Sequence, residues 1–133
     1  MSEENVEIVR RAYAALAEEG VEAMLAFTDP QFEMTTPPSL ASEPDIYRGH
    51  DGVRRWFDSF NDALEGVYLE GQEFTASADQ VLVVTLLRGT GRSTGIEVEQ
   101  QAFLLWALRD GLVVRGDVFA ERGPALKAAG LSE

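Results

Sequence analysis

The chain has 133 residues, 45% of them hydrophobic, and a formal charge of −12, a length that suits one core and a single domain spanning 1–133. That charge argues against nucleic acid or anionic membrane as partner, while zero cysteines and one histidine exclude disulfides, thiolate nucleophiles and the usual Cys- or His-rich metal sites. No apolar run approaches the roughly 20 residues that cross a bilayer, and the acidic Met1-Ser2-Glu3-Glu4 is unlike a secretory signal, so a cytoplasmic location is expected.

Val6, Val9, Tyr13 and Leu16 recur at helical spacing and predict an amphipathic helix over 3–17, with Ser2 as cap and Gly20 in a left-handed stop. A second short helix follows over 21–27 and is halted by Thr28-Asp29-Pro30. Residues 32–35 read as a short strand, and 37–49, rich in Pro and Ser, as a loop. Val53, Trp56, Phe57, Phe60 and Leu64 fall on one stripe of a third helix, which must be buried along it.

After Gly66 the period changes to two. Strands are predicted over 67–76, 81–90, 96–108 and 112–120, joined by short turns into an antiparallel meander. Pro124 suits the first turn of a last helix and Gly130 its end. The glycines between Gly89 and Gly95 match neither a phosphate loop nor a dinucleotide fingerprint, and a hairpin accounts for them.

The final hairpin decides which side chains face inward. A two-residue loop at Asp110-Gly111 sets Asp117 opposite Leu104, whereas a three-residue loop with Gly111 in a bulge sets it opposite Phe103. The second alignment separates the faces more cleanly. Val98, Gln100, Ala102, Leu104, Trp106, Val114, Gly116, Val118 and Ala120 then share the core face; Glu97, Glu99, Gln101, Phe103, Leu105, Arg115, Asp117 and Phe119 share the other. So much apolar surface on the outer face suggests a homodimer packed through Phe103, Leu105 and Phe119.

Asn5-Val6-Glu7-Ile8-Val9-Arg10-Arg11-Ala12-Tyr13, Asp29-Pro30-Gln31-Phe32-Glu33, Tyr47-Arg48-Gly49-His50-Asp51-Gly52-Val53 and Trp106-Ala107-Leu108-Arg109-Asp110-Gly111, in this order of elements, carry a resemblance over nearly the whole chain. It resembles the SnoaL-like, polyketide-cyclase-like branch of the nuclear-transport-factor-like and ketosteroid-isomerase-like superfamily. The resemblance implies an α+β fold, a cone-shaped α+β barrel whose N-terminal helices pack in the concavity of a curved, mainly antiparallel sheet around an apolar pocket. It does not imply one reaction, because relatives include cyclases, isomerases, dehydratases, epoxide hydrolases and binding modules.

Residue by residue, the resemblance transfers little chemistry. The isomerase positions fall on Ala12, on Met34 or Thr35, and on Leu104, with Tyr13 turned about 100° away from the first. The cyclase positions fall on Val118 and Leu104, or on Asp117 under the two-residue turn; Arg88 and Asp117 would supply only part of an epoxide hydrolase set. The candidate catalytic residues are therefore Asp117, His50 and Tyr13. His50 alone has an ordinary pKa near neutrality but sits at a helix start, and Tyr13 lies on a core stripe. The candidate pocket comprises Tyr13, Met34, Trp56, Phe60, Gln100, Leu104, Trp106 and Val118, and as the lone polar group on the core face Gln100 either bonds backbone at the rim or orients a ligand. The favoured expectation is a pocket for a small apolar molecule with no cofactor and no metal. A cofactor-independent acid-base enzyme (cyclase, lyase or isomerase) and a structural dimerisation module stand as alternatives.

Overall fold

A computed structural model describes residues 2–37, 46–60 and 63–131. Helix α1 (Ser2–Glu19) buries Val9, Ala12, Tyr13 and Leu16 along one stripe, with Glu3 and Glu4 at its positive end. It stops at Gly20, whose φ of 93° and ψ of −177° belong to glycine alone and differ from the left-handed cap expected there. The predicted second helix divides into α2 (Val21–Met24) and a 3-10 turn (Leu25–Phe27).

Strand β1 (Thr28–Thr35) begins four residues before the expected start, running through Pro30. Proline cannot donate to a ladder, and the pairing accordingly jumps between Thr28 and Glu33. A three-residue strand, β2 (Ile46–Arg48), lies within the expected loop and pairs antiparallel with β1, Met34 opposite Tyr47. Three residues leave no alternation to read in a sequence. The rest of that loop, 38–45, is outside the described residues.

Helix α3 (Gly49–Asp58) is shorter than its stripe suggested. Val53, Trp56 and Phe57 are buried on it, but Phe60 lies in the turn beyond and Leu64 opens the next strand, its amide bonded to the Phe60 carbonyl at 2.8 Å. Gly52 is needed for the approach of α3 to β2, since a Cβ there would sit 2.7 Å from the Tyr47 carbonyl carbon.

Strands β3 (Leu64–Ser77), β4 (Gln80–Gly91), β5 (Glu97–Arg109) and β6 (Leu112–Phe119) form the expected meander. They extend into a six-stranded mixed sheet, order β2-β1-β6-β5-β4-β3, closed at one side by the parallel pairing of β1 with β6. Register shifts in β3 on either side of the segment 68–71, and another in β6, bend the sheet around α1 and α3.

The last hairpin follows neither predicted alignment. Arg109 pairs with Leu112, so the loop is the two residues Asp110 and Gly111, both with positive φ (54° and 81°) as a two-residue hairpin turn requires. A bulge at Val114 then adds one residue to β6, and Asp117 lands opposite Leu105. The core face is therefore the one assigned by the three-residue reading, with the additional residue in the strand rather than in the turn. Before the bulge the assignment changes: Val113, not Val114, joins the core.

The outer face has a cover within the chain. Helix α4 (Arg122–Ala129) lies across it, and Leu82, Val84, Phe103 and Leu105 are buried beneath Ala125 and Ala129, with Phe119, Leu126 and Leu131 alongside. The apolar strip that suggested a dimer surface is thus covered within the chain. Small residues on the inner face of α4 let it sit close, and Gly130 in the left-handed conformation ends it, with the Leu131 amide bonded to the Leu126 carbonyl at 2.8 Å.

Candidate functional site

Among the described residues, two small cavities lie inside the cone. The first, about 30 Å³, is enclosed by Val9 and Tyr13 of α1, Met24, Phe32 and Met34 of β1, Val53 and Trp56 of α3, Leu69 of β3, and Trp106 and Val113. The second, about 20 Å³, lies among Phe60, Leu87, Gln100, Ala102, Leu104 and Val118. Trp56 and Leu69 border both and form the partition. A space of ~10–15 Å³ accepts one water, so each cavity is small, yet both walls are almost wholly apolar.

The eight residues expected to line a pocket all border one of these cavities: Tyr13, Met34, Trp56 and Trp106 the first, and Trp56, Phe60, Gln100, Leu104 and Val118 the second. Gln100 shares the core side of β5 but reaches its exposed rim, where Nε2 donates to the Gln101 carbonyl at 3.2 Å. The sequence did not single out Leu69, Phe32 or Thr85. Only Thr85 left a trace there, as the one hydroxyl within the apolar run 81–87.

Thr85 is fully buried and anchors the polar centre of the core. Trp106 Nε1–H donates to Tyr13 Oη at 3.0 Å, and Tyr13 Oη lies 2.9 Å from Thr85 Oγ1, which is 3.2 Å from the Val83 carbonyl. These contacts form one directed relay: indole to phenol, phenol to threonine, threonine to backbone. Each hydrogen has an acceptor. Burial pushes the phenol pKa far above its ordinary value, and the contacts with Thr85 and Trp106 bring it only partly back. Tyr13 therefore stays neutral with its proton committed.

Trp106 lies flat across β6 because residue 116 is glycine. A Cβ there would be 2.5 Å from the indole Cζ3 and 3.3 Å from Phe32. Trp56 is fixed differently: its Nε1–H donates to Thr36 Oγ1 at 2.9 Å, and Phe57 and Phe60 meet it edge-on at 4.9 and 5.1 Å.

The three candidate acid-base residues do not converge. Asp117 is on the outer side of β6, where its carboxylate accepts from Thr35 Oγ1 at 2.7 Å and from Arg115 Nε and Nη2 at 3.1 and 3.2 Å. His50, in the first turn of α3, places Nε2 2.8 Å from the Thr28 carbonyl, so the ring donates there and carries its hydrogen on that nitrogen. Arg88 also points outward, paired with Glu70 and Glu99, and lies opposite Glu99 while Asp117 lies opposite Leu105. Six residues of β5 separate the two, a span on the order of 20 Å. Among the described residues no group of three His, Asp or Glu side chains is placed to hold a metal, and no helix is long and apolar enough to cross a membrane.

The profile of the SnoaL-like domain family matches residues 9–116. Solved structures of similar shape include an NTF2-like protein from Burkholderia thailandensis, 25% identical, with a TM-score of 0.74 over 96% of this chain and 98% of that one. Another is TerC, co-crystallised with polyporic acid, 21% identical with a TM-score of 0.77 over 96% and 98% of the two chains. A third is an NTF2-like protein of unknown function from Burkholderia pseudomallei, 21% identical, TM-score 0.75, covering 93% and 95%. No curated protein matches the chain in sequence.

Proposed function

This chain belongs to the SnoaL-like domain family, and from that premise we propose that it binds a small, apolar molecule in the interior of its cone without acid-base chemistry. One observation carries the reading: among the described residues Tyr13 is the only titratable side chain bordering either cavity, and its proton is held within the relay to Thr85. General acid-base catalysis needs a group within hydrogen-bond reach of the reacting atom and free to exchange its proton. Asp117 would have to act through the sheet, and His50 already donates to backbone. The aromatic and aliphatic walls favour a molecule that offers area rather than charge. TerC, a protein of this fold, was co-crystallised with polyporic acid, and an organic ligand is what the apolar walls here would accept.

Both tryptophans of the chain border the cavities, so their emission reports directly on occupancy. Titration with a neutral apolar probe such as octanol is expected to shift tryptophan emission saturably. The shift should persist in Asp117→Asn and His50→Gln. A response abolished by either substitution, with the fold retained, would return the acid-base reading to first place.

A further inference from the structure

The interior is not sealed evenly. A surface groove of about 320 Å³ runs between α1 and β3, with Ala14 and Ala17 on one bank and Tyr68 and Gly71 on the other. Leu69 borders this groove and both interior cavities, and Tyr13 borders the groove and the first cavity. Three separate spaces thus meet at one side chain. Leu69 is 3% exposed, and it lies in the short segment of β3 that has a register shift on each side, between Glu65 and Tyr68 and between Gly71 and Glu73. Because β3 is at the edge of the sheet, that segment is held by β4 alone. Backbone between two bulges of an edge strand has few ladder bonds to break when it moves.

The groove also has a polarity that the cavities lack. Arg10 stands at its end, exposed, its guanidinium 4.3 Å above the Phe74 ring, and it makes no ion pair among the described residues. Glu70, the groove's carboxylate, is already bound to Arg88 at 3.2 Å. Arg10 is thus the groove's cation without an ion-pair partner among the described residues, although the chain as a whole is strongly negative.

We infer that the groove and the two cavities are one binding tunnel closed at Leu69, and that its ligand is an elongated amphipath, with an apolar tail in the cavities and an anionic head beside Arg10. This rests on the pocket reading above and adds the route of access, the shape and the head group. Ala14 and Ala17 are small and exposed, which keeps the groove open; larger residues there would fill it without touching the core.

The test uses octanoate and octanol as matched probes, with tryptophan emission and calorimetry as readouts. Octanoate should bind the unaltered chain, more weakly as salt rises. Arg10→Gln should weaken octanoate by roughly threefold, the scale of one exposed charge contact, and leave octanol unchanged. Ala14→Leu combined with Ala17→Leu should abolish the emission response to both, and Leu69→Ala should strengthen both. If octanol and octanoate bind but the filled groove changes neither, the tunnel is overturned while the interior pocket stands. Equal loss of both probes in Arg10→Gln overturns the anionic head. Absence of binding by either probe, in the unaltered chain and in Leu69→Ala, overturns the tunnel and the pocket together.

Discussion

Replacing Tyr13 with Phe removes one oxygen from the core and tests the relay on which the site assignment depends. In the intact chain Trp106 Nε1–H has Tyr13 Oη as its acceptor at 3.0 Å, and Tyr13 passes its own hydrogen to Thr85 at 2.9 Å. With phenylalanine at 13 the indole donor, on a residue only 8% exposed, has no acceptor, whereas Thr85 keeps its bond to the Val83 carbonyl. The expected cost is that of one buried unsatisfied donor, about 1–3 kcal/mol, or about 3–5 °C in Tm per kcal/mol for a domain of this size. Thr85→Val on its own strands the phenol hydrogen and should cost a similar amount. Made in the Tyr13→Phe background it strands nothing further, so the double variant should be little worse than Tyr13→Phe alone. The implied coupling is about 1–2 kcal/mol, measurable by urea unfolding with a common m-value. Additive effects, or a Tyr13→Phe cost below ~0.5 kcal/mol, would mean that the relay does not hold the core, and that the tyrosine hydroxyl is free for another task.

Other substitutions probe separate parts of the fold. Gly116→Ala forces Trp106 off β6, since 2.5 Å is far inside contact distance, and should cost about 1–3 kcal/mol by urea unfolding together with a shift in tryptophan emission. Ala125→Asp places a carboxylate in a fully buried site beneath α4; sedimentation should then show concentration-dependent association, as the lifted helix uncovers Phe103 and Leu105. Asp117→Asn should change stability by less than ~1 kcal/mol, its Arg115 partner being half exposed, and leave probe binding intact in calorimetry.

The helical stripes and the period-two strands were legible because burial imposes them residue by residue. The core stripe of α1 and the inward face of β5 from Ala102 to Leu108 follow from that periodicity, whereas Phe60 borders a cavity from the turn beyond α3. What escaped is what periodicity does not encode. The bulge at Val114 shifts register with no distinctive residue to announce it, and strand β2 is too short to alternate. Leu69 reads as one more apolar strand residue, although its place between two bulges puts it where three spaces meet. The cover of Phe103 and Leu105 was missed for a different reason. Ala125 and Ala129 look inconspicuous, yet their smallness is what lets α4 settle onto the sheet.

The parallel pairing of β1 with β6 also bears on how the chain is made. Met34 cannot find Gly116, or Thr35 Asp117, until both strands exist, and the intervening stretch contains α3 and four further strands. At the ~5–20 residues per second of synthesis, the roughly 80 residues between them take on the order of 4–16 s to appear. Throughout that interval Phe32 and Met34 of β1 lack the strand that pairs beside them. Long-range closure of this kind slows folding and leaves sticky surface on a nascent chain. The acidic residues of α1, Glu3, Glu4, Glu7, Glu18 and Glu19, then act as its solubilising collar while it waits for its last strand.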